Sequence, residues 1–256
     1  MMLHTGAAEI PRSRWSEAQA YEQAFWQRLG ADVAAGTREH LDWYRWRAGQ
    51  LEQRLGSMSE PGPRAGKVLE IGSGPIGIVN FLDWGERYAV DPLEHFYRTQ
   101  PSLVTLRRPG VTYLEGTGER LPFEDGSCAL VIIDNVIDHT YAPRKILDEI
   151  HRVLEPDGRM YLSVNVHTAW GAQLHALLAV LRIDRGHPFT FTSRTLRPLL
   201  AASGFTVLSE QVEDYAEAKR NDCRSASMRA RIKGYSGLSE FSHSVICSRA
   251  AGALDA

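Results

Sequence analysis

The residues whose chemistry is easiest to read are two acids framing a glycine turn. Glu70 precedes Gly72-Ser73-Gly74-Pro75-Ile76-Gly77, and Asp91 follows nineteen positions after Gly72. Glycine tolerates positive φ and lets a ligand approach the backbone, so this spacing between a strand and a helix suits a tight turn beneath a bound molecule. A carboxylate at the end of the next strand accepts hydrogen bonds from ribose hydroxyls. Together they imply an adenosine-containing ligand. Several cofactor classes share such turns, and Glu70 separates them. A carboxylate two residues before the first glycine repels a pyrophosphate and favours a sulfonium or an amino group. The expected ligand is therefore cationic.

A second group consists of histidines in loops that leave the carboxyl edge of the expected sheet, where α/β folds bind ligands. His139 lies in NVIDHTYAP, His167 in SVNVHTAW and His187 in GHPFTFT. Imidazole titrates near neutrality and can take a proton from an attacking nucleophile. His139 is the first candidate for a general base, with Asp138 placed to orient it. His167, His187 and Tyr141 stand behind it, against the competing reading of loop side chains bonded to backbone. No metal site is expected. Cys128, Cys223 and Cys247 are odd in number and widely spaced, so neither a disulfide framework nor a zinc knuckle is indicated. A reducing compartment follows.

The elements that must position these residues can be read from periodicity. KVLEIG, RYAVD, VTYLE, ALVIID and RMYLSV are strand candidates, with helices expected around 76–83, 93–99 and 143–154. Alternation of this kind implies a parallel sheet covered on both faces. FTVLSEQV and FSHSVICSR add two late strands, read as an antiparallel pair, and Ser193 is expected to cap the helix before them. In front, Ser16 and Gln19 can form a capping box for a helix carrying Tyr21, Phe25 and Leu29 and stopped by Gly30. A second helix presents Leu41, Tyr44, Ala48, Leu51 and Leu55, its face widened by Trp43 and Trp46. The Gly-, Pro- and Ser-rich run 56–66 reads as a linker. The expected fold is α/β, a doubly wound, mostly parallel seven-stranded sheet with an N-terminal helical extension (1–65) ahead of the ligand-binding domain (66–256).

VLEIGSGPIG, AVDP, GERLPFEDGSCALVIIDNVIDH and PRKILDEIHRVLEPDGRMYLSV resemble, in order, the successive motifs of the class I S-adenosylmethionine-dependent methyltransferases, in the broad group that includes ubiquinone-biosynthesis-type enzymes. The resemblance covers residues 66–165. It implies S-adenosyl-L-methionine as cofactor, with Gly72 and Gly74 beneath the methionine portion and Glu70 near its amino group through the local network. Asp91 would bind the ribose, Leu93 would cover an adenine face, Thr117, Gly118 and Glu119 would hold the adenine edge, and Asn135 would face the methionine end. Family members commonly carry an acid where this sequence has Thr117, so Glu119 or the Thr117 hydroxyl would stand in. The insertion 166–192, with Leu174, Leu177, Leu178 and Leu181, corresponds to a region that often covers the acceptor pocket.

The resemblance implies methyl transfer by in-line displacement to oxygen, nitrogen or carbon of a small molecule. Lys and Arg number 29 against 31 Asp and Glu, a balance unlike that of a dedicated nucleic-acid binder. Residues 219–234 concentrate six basic side chains against Asp222 alone, read as a solvated basic loop. It is also the one feature that would serve an RNA methyltransferase. The glycine turn would also serve a nucleotide-dependent oxidoreductase, against which Glu70 argues, and the departure at Thr117 would suit a cofactor-binding protein without catalysis. With no apolar leader or membrane-length run, the expected location is cytoplasmic and no membrane partner is expected. Four of six tryptophans fall in the first 46 residues, and Trp26, Trp43 and Trp46 are expected to wall the acceptor site.

Overall fold

A computed structural model describes residues 9–37, 42–59, 62, 64–180 and 185–250. Two helices, α1 (Arg12–Ala34) and α2 (Trp43–Gly56), lead into β1 (Lys67–Ile71), β2 (Glu86–Asp91), α3 (Glu94–Tyr97), α4 (Pro101–Val104) and β3 (Val111–Glu115). The chain then returns to the middle with β4 (Cys128–Asp134), α5 (Pro143–Val153), β5 (Leu154–Val166), α6 (Ala169–Val180) and α7 (Ser193–Ala202). It finishes with β6 (Phe205–Val212), α8 (Tyr215–Arg224), α9 (Met228–Ser236) and β7 (Phe241–Arg249). The strands form one sheet in the order β3-β2-β1-β4-β5-β7-β6. All pairs are parallel except β5 with β7 and β6 with β7, as expected for the late strands. The order reverses direction between β1 and β4, the switch point at which open α/β sheets form a ligand crevice.

The apolar strand β4 lies at the centre because both of its faces are covered. Val131 and Ile133 join a core with Ile146 and Ile150 of α5 and Leu196 and Leu200 of α7. Leu130 and Ile132 face the opposite core, where Trp26, Leu29, Tyr44, Ala48, Leu51 and Leu55 of α1 and α2 pack. The N-terminal helices thus form part of one layer over the sheet.

The structure departs from the local signals in five places. Helix α1 starts at Arg12 behind Pro11, and Ser16 lies exposed inside it. Gly30 does not stop this helix; it lets α1 approach α4 so closely that a Cβ there would sit 3.1 Å from Leu103 Cγ. Thr192, not Ser193, caps α7, exchanging hydrogen bonds with Thr195 in a capping box. The helix expected at 76–83 is a single 3₁₀ turn, Val79–Phe81. Segment 219–234 is also no loop: it is built into α8 and α9. Leu41, Leu181 and linker residues 60, 61 and 63 lie outside the described residues. Among the described residues no helix is long and apolar enough to cross a membrane.

Candidate active site

A cavity of about 460 Å³ opens at the carboxyl ends of β1, β2 and β4 and is closed from the other side by α1 and α2. Its floor is the glycine turn. Gly72 and Gly74 hold φ of 67° and 60°, a region that side-chain-bearing residues avoid. A Cβ at Gly72 would lie 2.4 Å from Val136 Cγ2, and one at Gly74 would lie 2.5 Å from the Tyr44 hydroxyl and 3.2 Å from the Trp26 ring. Absence of side chains here therefore serves both the backbone and the close seating of the N-terminal helices.

Both framing acids hold this turn in shape. Glu70 is buried and accepts hydrogen bonds from the amides of Val79, at 2.8 Å, and Ile78. These bonds cap the amides that open the Val79–Phe81 turn, which follows Gly77 at a φ of 82° and ends at the extended Leu82. Asp91 Oδ2 accepts from the Gly74 amide at 2.9 Å and Oδ1 from the Leu93 amide at 2.8 Å. Burial pushes Glu70 up to about 8 and Asp91 up to about 7, against the pull of these amides. Each ionised oxygen can accept a further bond, and both residues line the cavity.

Leu93, Thr117, Gly118 and Glu119 also line it. Glu119 Oε1 accepts from the Tyr141 amide at 3.1 Å, and the Thr117 hydroxyl hydrogen bonds to the same carboxylate. Thr117 and Glu119 thus form one unit where the family commonly has an acid. Asn135 has a φ of 57°, and its Oδ1 accepts from the Asn165 amide at 3.2 Å, which ties the loop after β4 to β5.

Not all the candidate bases are brought together. His139 and His187 border the cavity, with ring centroids 4.6 Å apart. His139 Nε2 is 3.9 Å from Asp138 Oδ1, beyond a hydrogen bond, so Asp138 does not orient His139 in the expected way. His167 is buried away from the cavity lining, stacked on His175 at 4.8 Å, with Nε2 3.5 Å from Glu240 Oε1. Burial lowers it to about 4, so it is neutral at physiological pH. Tyr141 also lies outside the lining, packed edge-on against Trp15 at 5.8 Å and beneath the Arg12 guanidinium. It anchors the start of α1.

Several lining residues carry no signal in the motifs. Asp134, at the end of β4, forms an ion pair with Arg47 of α2, and burial raises its carboxyl despite that guanidinium. Trp26 and Trp43 stack at 6.3 Å over the turn and line the cavity, whereas Trp46 is 63% exposed and takes no part. Arg229 of α9 alone carries the basic segment's charge to the cavity. Arg47 follows Tyr44 by three and Trp43 by four, so one helix face holds all three. That periodicity was the available clue.

The sheet order, with antiparallel β7 inserted between β5 and β6, and the glycine turn at the switch point define a Rossmann-like methyltransferase fold. Residues 69–162 match the family model described as a methyltransferase domain. An uncharacterized methyltransferase of Mycobacterium tuberculosis is 30% identical over 151 residues, 56% of this chain and 57% of that protein. Another, from Mycobacteroides abscessus, is 33% identical over 110 residues, 42% and 41% of the two chains. The chain thus spans about half the length of the curated relatives it matches. The geranyl diphosphate C-methyltransferase of Streptomyces coelicolor, solved with Mg²⁺, geranyl diphosphate and S-adenosyl-L-homocysteine, shares the fold with a TM-score of 0.59 at 12% identity, covering 82% of this chain and 85% of that one. Residues 69–162 thus form a methyltransferase domain, in a fold shared with an S-adenosyl-L-homocysteine-bound methyltransferase.

Proposed function

We propose that the protein transfers a methyl group from S-adenosyl-L-methionine to a small-molecule acceptor, residues 66–256 forming the catalytic domain and residues 1–65 an extension that closes over it. The observation that carries this reading is the set of carboxyls in the cavity. Glu70, Asp91 and Asp134 surround its cofactor end, and Arg47, already paired with Asp134, is the cation among them. Burial holds Glu70 and Asp91 partly protonated in the free protein, and a sulfonium with an α-amino group would draw them into the ionised form, whereas a pyrophosphate would oppose their ionisation. These acids, together with the family match, favour this reading over a nucleotide-dependent oxidoreductase.

In this reading Asp91 holds the ribose hydroxyls, Leu93 and the Thr117–Glu119 unit border the adenine, and Asn135 with the glycine turn borders the methionine. The acceptor occupies the space between the Trp26–Trp43 wall and His139 and His187, with Arg229 available to an anionic group on it. The acceptor atom forms a bond to the methyl carbon as the carbon–sulfur bond breaks, and sulfur keeps the electron pair and becomes a neutral thioether. Alignment can supply about 7–11 kcal/mol of the barrier reduction. Where the nucleophile must lose a proton, His139 would receive it, with a contribution of about 10² to 10⁴-fold.

Calorimetry with S-adenosyl-L-homocysteine tests the cofactor assignment. Saturable micromolar binding is expected, and no binding at millimolar ligand would remove the proposal. Retention on heparin that disappears in the Arg229→Ala/Arg231→Ala double variant would instead favour an RNA acceptor.

A further inference from the structure

Asp138, His139 and His187 each offer one ligand atom, and these atoms lie within 4.8 Å of one another. Asp138 is 5% exposed, and its Oδ1 is buried without a hydrogen-bond partner. Such an oxygen is costly to bury unless a proton, a water or a cation satisfies it. The two loops that carry the three residues are joined by a bond from the Phe189 amide to the Asp138 carbonyl, at 3.3 Å, so their separation is set by backbone.

The geometry points to a three-ligand site for a divalent transition-metal cation of the Zn²⁺ class, with its open position toward the cavity. Two imidazoles and one carboxylate form a donor set that borderline metals prefer, whereas Mg²⁺ and Ca²⁺ favour oxygen ligands. Ligand atoms around tetrahedral zinc stand about 3.3 Å apart, so side-chain rotation must draw the present cluster inward. His139 and His187 both border the cavity, which leaves the fourth position accessible to a small molecule.

This inference deepens the methyl-transfer reading and rests on it for the role of the metal. An acceptor hydroxyl, thiol or carboxylic acid binding at the fourth position would coordinate as its anion, its proton passing to solvent before methyl transfer. His139 would then be a ligand rather than a base. The acceptor class becomes one with an ionisable oxygen or sulfur at the reacting position.

The test uses the full-length protein stripped with chelator and titrated with Zn²⁺ by calorimetry and with Co²⁺ by visible absorption. One equivalent should bind with micromolar or tighter affinity, and Co²⁺ should give the intense visible band of a four-coordinate site. Asp138→Asn and His187→Gln should each weaken binding at least tenfold, with S-adenosyl-L-homocysteine affinity and circular dichroism unchanged. His175→Gln, outside the triad, should bind metal normally. Absence of stoichiometric binding, or undiminished binding in both triad variants, would overturn the site. Zinc binding to the triad in a protein that does not bind S-adenosyl-L-homocysteine would support the metal site while removing methyl transfer.

Discussion

In the proposed reading, the two ends of the cavity are built on different principles. At the cofactor end the glycine-turn backbone and the carboxylates that bond to it come from residues 70–135, with Arg47 of α2 added through Asp134. At the acceptor end the surface comes from Trp26 and Trp43 in the first helices, His139 after β4, His187 before α7 and Arg229 in α9. The first end is local in sequence and rigid by hydrogen bonding. The second is assembled from five distant segments and held by packing. A fold can therefore keep one cofactor while its acceptor changes, because the two sets of residues barely overlap.

That division gives a graded set of tests. Asp91→Asn should cause the largest effect, since a hydrogen bond to a charged group is worth about 1.5–3 kcal/mol and two ribose contacts are at stake. S-adenosyl-L-homocysteine affinity should fall about a thousandfold by calorimetry, while the retained carbonyl preserves a turn contact. A loss below tenfold would break the assignment of Asp91 to the cofactor end. His139→Ala should reduce turnover about a hundredfold with cofactor affinity little changed. Equal losses in both would show that the two ends are not separable.

A smaller effect should come from pH. Asp91 sits at about 7 in the free protein, and a ligand that needs the carboxylate must displace its proton below that pH. Affinity should then fall about tenfold from pH 8 to pH 6 through this group alone, and proton release on binding should appear as a buffer-dependent enthalpy. Glu70, at about 8, acts in the same direction. A flat profile over this range would contradict the burial of both acids. Trp43→Ala should be mildest, raising the acceptor KM severalfold and sparing cofactor affinity.

The same contrast explains what could be read from sequence. The seven strands and the cofactor loop follow from short-range patterns: apolar runs, glycines and a strand-end acid. The helices were less legible because local cues were overridden by packing. Gly30 looks like a stop until Leu103 of α4 is placed against it, and the fragment 76–83 looks helical, yet Gly77 adopts a φ of 82° before the turn and Leu82 is extended after it. Arg47 and Asp134 are 87 positions apart, and nothing in either neighbourhood announces the pair. Tyr141 and His167 carried suitable chemistry, but both turned inward to anchor elements.

The roof over the glycine turn also makes the protein its own optical probe. Trp26 and Trp43 stack directly above the surface on which a ligand must settle, and Trp26 donates to Glu22 through its indole nitrogen at 2.7 Å. Occupancy of the cavity changes the surroundings of both indoles at once, and of Trp15 at its edge, whereas Trp46 and Trp170 lie outside the lining and are each 63% exposed. Emission from this pair should shift on ligand addition, and a stopped-flow trace of it would time entry beneath the helices without a label.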